Sequence, residues 1–352
     1  MTDVSPPRLI ERPFGQESRH ELLEEYFGDT GAVAPSEAWK HVYRLLLWID
    51  RTTGLAHCYE SDKAQPGRPW YARSLAFHGW VAEQLGTTPD LLRNEVDWLF
   101  RRGLEKLILA LDQFKEQRRV RAEQQRLPYQ DLGFPEPGHD PELEAILRES
   151  FQDWTGTAPD ERGVVLLAER LQAYFLQENK RANLVGEGFE DVLSFIISRM
   201  PGAERVRVRT RPQLHDIYGF RPPPQGEKVR RVDLAVEAPP DRRILVTAKW
   251  SIRADREEQF GVDYDTYTKL EDRREPFDFV LITNEFDTAR LDAACRRWVA
   301  GRNMFTSVVH VNPEALAAAH GEHRRGKAQL LAGHQTAGRL IGLSDWLSTL
   351  TA

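Results

Sequence analysis

What the chain has little of narrows its class first. Only two of its 352 residues are cysteine, Cys58 and Cys295, one in each half, which argues against a disulfide framework and for a reducing, cytoplasmic setting. No stretch approaches the ~18 uninterrupted apolar residues that a membrane span needs. The segment Met1 to Glu11 carries Pro6 and Pro7 and no apolar run, so neither a secretory signal nor a membrane anchor is expected. A basic excess is missing too: the formal net charge is -6, which on average counts weakly against a nucleic-acid partner. Histidines are scattered, and the one close pair, His320 and His323, suits an exposed loop better than a metal centre.

What is present is enough for two hydrophobic cores. A domain typically takes roughly 100–200 residues, and 41% hydrophobic with 29% charged residues is an ordinary soluble composition. The average charge hides clusters. Arg205, Arg207, Arg209, Arg211, Arg221, Lys228, Arg230, Arg231, Arg242, Arg243, Arg253 and Arg256 crowd one segment. A solvated face and a nucleic-acid-binding surface both fit such a cluster.

From Ser36 to about Gln117 the apolar residues recur at helical spacing, as in Trp39, Val42, Tyr43, Leu46 and Leu47, so a helical domain is expected over 1–140. Within it, Ser74 to Gly103 reads as helix, turn, helix. Gly86-Thr87-Thr88-Pro89 forms the break, with Thr88 as N-cap and Pro89 at the first helical position. A helix-turn-helix has this outline; so do two packed helices that never touch DNA, and the acids Asp90, Glu95 and Asp97 favour the second reading. The charged, then Pro- and Gly-rich stretch Glu116 to Pro141 reads as a linker.

A second domain is expected over 141–352. Helices are predicted near Glu161 to Glu178 and Glu187 to Met200. After these the period changes to two: Arg230 to Ala238 and Arg243 to Trp250 alternate like strands, and Phe277 to Thr283 and Phe305 to Val311 are short apolar strands separated by helical stretches. The fold class that follows is α/β, a mixed sheet flanked by helices.

The chemistry concentrates in the first two of those strands. Period two puts Val232, Leu234 and Val236 on one face and Asp233 on the other, and puts Lys249 on the face of Thr247. If the hairpin turns about Asp241, Asp233 lies directly across from Lys249 with Cβ atoms about 4.5–5.5 Å apart. A plain cross-strand salt bridge fits this geometry. So does phosphodiester chemistry, in which a carboxylate holds Mg²⁺ and an ammonium orients water or stabilises transition-state charge. One carboxylate makes a poor magnesium site, so a second acid is sought: Glu190 or Glu187 on the preceding helix, or Asp263, Glu257 or Glu258 on the following one.

Asp233 followed by Thr247-Ala248-Lys249 resembles the catalytic hairpin of the PD-(D/E)XK nuclease superfamily, with Thr247 where that pattern usually has Asp or Glu. The departure resembles type II restriction endonucleases of the CCGG-recognising group, which supply the acid from the next helix. There the lysine is followed by Arg-x-Asp-Arg; here Arg253-Ala254-Asp255-Arg256 stands at the matching offset. The chain looks most like the BsaWI-type branch, in which a helical domain precedes the nuclease domain. The resemblance covers mainly Gly186 to Val311.

It implies a restriction-endonuclease-like sheet, Mg²⁺ held by Asp233 and Asp263, Lys249 assisting the attacking water, Glu190 as an additional acid, and base reading by Arg253, Asp255 and Arg256. Arginine can donate twice to guanine O6 and N7, and aspartate can accept from cytosine N4, so such a trio suits G·C pairs in the major groove. The partners implied are double-stranded DNA, a second copy of the chain in a homodimer, and a companion DNA methyltransferase. Two other readings stay open: a repair or mobile-element nuclease without stringent sequence choice, and a non-enzymatic DNA-binding protein on a decayed nuclease fold.

Overall fold

The computed structural model describes residues 14–28, 30–109, 120–129, 132, 140–157, 159–299, 301–321 and 327–352. These form two compact units, one within Gly103–Leu184 and the other of Gly15–Arg102 together with Val185–Ala352. Residues 15–102 bury their apolar stripes in the same unit as the sheet: the Tyr43 hydroxyl donates to Asn284 Oδ1 at 3.0 Å, and Phe77 meets Phe286 with ring centroids 4.6 Å apart. Half of the expected linker lies outside the described residues, and its described part is helical over residues 120–126.

In the smaller unit, the helix Pro141–Thr155 begins on Asp140, whose side chain accepts from Leu143 N, and ends at Gly156 in the left-handed region. Both ends thus satisfy backbone groups that a helix leaves unpaired. Arg148 ties this helix to the next, pairing with Glu144 at 3.1 Å and Glu161 at 2.9 Å.

The larger unit holds a six-stranded sheet in the order β1 (Arg207–Thr210), β2 (Leu234–Ala238), β3 (Arg242–Lys249), β4 (Asp278–Thr283), β7 (Ser307–His310), β8 (Leu340–Gly342); Trp298–Val299 and Arg302–Asn303 form β5 and β6, a separate hairpin. The first two pairings are antiparallel and the remaining three parallel. This is a mixed α/β sheet flanked by helices, as the alternation of strand and helix patterns predicts. β3 is central, and Ile244, Leu245 and Val246 are almost fully buried, as expected of a strand covered on both faces.

Three local expectations are corrected. The hairpin pairs Ala238 with Arg242, so it turns about Pro240 rather than Asp241. Leu234 then pairs with Val246, which puts Thr247, not Lys249, directly opposite Asp233. The two helices predicted over 161–178 and 187–200 are one, Glu161–Arg199. The second arm of the helix-turn-helix outline is divided: a single turn, Leu92–Glu95, follows N-cap Leu91 without a side-chain cap, and a new helix starts at Trp98 after Asp97, whose φ is 62°. Leu92, Val96 and Leu99 are all buried, so their helical spacing reflects core packing across that break.

Candidate active site

β3 ends at Lys249, at the carboxyl end of the parallel half of the sheet, the edge where open α/β sheets bind ligands. Asp233 immediately precedes β2. Because strand residues two apart share a face, a register offset by two residues leaves Lys249 on the face of Asp233, diagonal to it instead of opposite. The diagonal is within lysine's reach. Asp233 Oδ2 accepts from Lys249 Nζ at 2.6 Å, from the Ala248 amide at 2.9 Å and from Thr247 Oγ1 at 3.2 Å. Both charged side chains are about a quarter exposed, so the pair sits at the surface of the core and remains reachable.

Two other elements converge on the same spot. Glu190 lies on Glu161–Arg199 and is buried. Burial first, and then the Asp233 charge, push its carboxyl up to about 8 against the opposing pull of Arg211 and Lys249. Asp263 lies on the helix Ala254–Leu270. Its carboxyl is also raised, by burial and by Asp233, while Arg230 and Lys249 pull it down; the Arg230 guanidinium stands 3.6 Å away. The structure thus brings Asp233, Lys249, Glu190 and Asp263 into one interacting group. Glu187 is drawn away, pairing with Arg19 at 2.7 Å, and Glu258 is exposed.

The backbone around the pair is fixed by buried packing. Trp250 follows Lys249 and meets Phe189, the neighbour of Glu190, edge to face at 5.5 Å, and Trp48 at 6.1 Å. Beyond it, Trp250 O accepts from Asn284 N at 3.0 Å, and Ile252 N donates to the buried Glu285 carboxylate at 2.7 Å. These contacts set where the chain leaves the sheet and enters the next helix. Arg253 is the exposed N-cap residue of that helix. The side chains of Asp255, Arg256 and Glu257 lie outside the described residues, as does His323.

Several participants carry no signal in the hairpin pattern. Arg211 donates to Glu190 at 2.7 Å and also to Asp191, and Asp191 is held from its other side by Arg19 at 2.7 Å. Arg211 also donates its backbone N–H to Asp233 O at 2.9 Å, so one residue fixes both acids. The alternation of Arg205, Arg207, Arg209 and Arg211 with Val206, Val208 and Thr210 is a period-two signal that would have revealed this strand. Tyr267, one helical turn beyond Asp263, is buried and its hydroxyl is raised by desolvation and by Asp263 and Asp233.

Among the described residues no three acidic, histidine or cysteine side chains form a ready ligand cluster. The donor set still fits magnesium, which prefers oxygen ligands, keeps several waters and is commonly bound through one or two carboxylates. The Asp233 charge raises the proton affinity of both Glu190 and Asp263, and a divalent cation would relieve that repulsion. A separate cavity of about 910 Å³, lined by Arg207, Glu237, Asp241 and Arg242 among others, lies at the hairpin-turn end of β2 and β3, the end of those strands away from Asp233 and Lys249. Comparison with protein-family models and with curated proteins gives no match. Among the described residues no helix is long and apolar enough to cross a membrane.

Proposed function

We propose that the chain is a Mg²⁺-dependent DNA endonuclease of the type II restriction class on a restriction-endonuclease-like fold. The observation that supports this best is the convergence of Asp233, from just before β2, Lys249, from the end of β3, and Glu190 and Asp263, from two helices, at the carboxyl edge of a mixed sheet. Asp233 and Asp263 are the residues that would hold the ion, with Glu190 as an additional acid. When bound, Mg²⁺ supplies charge neutralisation at the phosphate and acidifies a coordinated water. Lys249, anchored on Asp233, would place its ammonium to orient an attacking water and to stabilise charge on the phosphate. Thr247 takes the place of the acid found in the usual pattern, donating to Asp233 instead of ligating.

In this reading Arg253, Asp255 and Arg256 read a palindromic site containing CCGG, and a homodimer cuts both strands because a two-fold protein matches a two-fold duplex. A methyltransferase would protect the host's own sites. The test is incubation of purified protein with unmethylated plasmid, with and without Mg²⁺, followed by sequencing of the ends. Ends confined to CCGG-containing sites are expected. A smear would point to a nuclease without stringent sequence choice, and intact DNA that is merely shifted in a gel would point to a binding protein.

A further inference from the structure

The ladder between β1 and β2 does not stop where the strands are assigned. Its register continues outward. Arg211 N donates to Asp233 O at 2.9 Å, Val232 N to Pro212 O at 3.1 Å and Leu214 N to Arg230 O at 2.9 Å, with an antiparallel bridge between Gln213 and Arg231. Arg231 therefore sits two residues from Asp233 on the same ribbon. It is exposed, whereas Val232 between them is buried.

The loop feeding this ribbon is basic in a chain of net charge -6: Ile217–Val232 holds four cations, Arg221, Lys228, Arg230 and Arg231, against the single acid Glu227. It is also held in place. Arg221 N donates to Leu270 O at 2.9 Å, Asp272 N donates to Gly219 O at 3.1 Å, and Arg243 Nη1 donates to Tyr218 O at 3.1 Å. Pro222-Pro223-Pro224 restricts the backbone further. Arg230 pairs with Asp263, but among the described residues the exposed side chains of Lys228 and Arg231 have no ion-pair or hydrogen-bond partner. Two unpaired cations on an anchored loop, beside a cluster of acids, match a ligand that is a row of anions.

We propose that Lys228 and Arg231 form a phosphate clamp that binds the DNA backbone next to the Asp233–Lys249 pair without reading sequence. The clamp rests on the nuclease reading and names the surface through which that site would hold its polymer. A protein that neutralises phosphates releases condensed counterions, so each lost contact lowers the slope of log affinity against log salt by about 1.

The experiment is equilibrium binding of two fluorescently labelled duplexes of unrelated sequence, in metal-free buffer across a salt series. The proteins are the wild-type chain, Lys228→Ala/Arg231→Ala, Arg231→Gln, and Arg207→Ala as a charge-matched control. Arg207 is exposed at the opposite end of β1. The double variant is expected to lower the salt slope by about 2 and the single variant by about 1, equally on both duplexes, while Arg207→Ala keeps the wild-type slope. Wild-type slopes in the clamp variants, or an equal loss in Arg207→Ala, would overturn the clamp alone. A wild-type chain that binds neither duplex would overturn the nuclease reading and the clamp with it.

Discussion

Asp233 Oδ2 and Lys249 Nζ stand 2.6 Å apart although the two residues are not cross-strand partners. The position opposite Asp233 belongs to Thr247, and the lysine reaches back along a diagonal. A pair that served only to stabilise the sheet would contribute little: exposed or half-exposed ion pairs are worth roughly 0–1 kcal/mol. Lys249→Ala is therefore expected to leave the melting temperature nearly unchanged and DNA binding intact, while DNA cleavage falls by about 10²–10⁴-fold, the range for loss of a positioned proton-transfer or charge-stabilising group. Normal cleavage by a folded Lys249→Ala protein would remove this residue from the mechanism.

Asp263, Glu257 and Glu258 are the candidates for the relocated acid on the helix after β3, and of these Asp263 and Glu258 have described side chains. Geometry separates them, because Asp263 interacts with Asp233 and Lys249 while Glu258 is exposed on the same helix. Asp263→Asn is expected to weaken Mg²⁺ binding measured by calorimetry and to lower cleavage on the order of 10²-fold or more, since a bound metal contributes several kcal/mol to such a transition state. Glu258→Gln should match wild type in both assays. The reverse ranking would move the metal site one and a half turns toward the start of the helix.

How far the sequence reveals this site depends on the range of each interaction. That Asp233 and Lys249 share a face follows from period two alone and survives a change of register by two residues. The register itself depends on the turn, and Pro239-Pro240-Asp241 allowed more than one centre. Arg211 was visible as one arginine among many, but its pairing with Glu190 and Asp191 is a contact between residues 20 and 21 positions apart, set by how β1 passes the long helix. Arg19 is further still from Asp191, 172 positions away. Apolar periodicity marks the core strands well and the edge poorly: β1 is mostly Arg, Val and Thr, and β8 has only three residues.

The elevated Glu190 carboxyl has a consequence for stability. Its unfolded-state pKa is near the ordinary 4.5 and its folded value is about 8, so between these pH values the folded chain holds a proton that the unfolded chain has released. Stability from this group is complete below about pH 4.5 and is lost as pH rises toward 8. Glu190→Gln, which keeps an acceptor for Arg211 and cannot ionise, is expected to be more stable than wild type near pH 8, by about 1–3 kcal/mol, and to lose that advantage by pH 5. Denaturant melts at both pH values check it. A pH-independent difference would mean that Glu190 is charged throughout.

Arg243 anchors the loop that carries Lys228 and Arg231. It is buried on β3, donating to Glu271 at 3.1 Å, to Glu275 O at 2.8 Å and to Tyr218 O at 3.1 Å, and its guanidinium lies 5.5 Å from the Phe220 ring. Gly219 makes room for it: a Cβ there would fall 1.9 Å from Arg243 Nη1, on a backbone with φ of 86°. Removing one member of a buried ion pair leaves the other charge uncompensated, so Arg243→Met is expected to cost about 3–5 kcal/mol in urea unfolding, because Glu271 is equally buried. Replacing both partners, Arg243→Met with Glu271→Leu, should recover much of that loss, since a well-packed apolar pair has no stranded charge. If the double variant is as unstable as the single one, the cost lies in the lost hydrogen bonds to Tyr218 and Glu275 carbonyls, and the loop owes its position to those bonds more than to the charge pair.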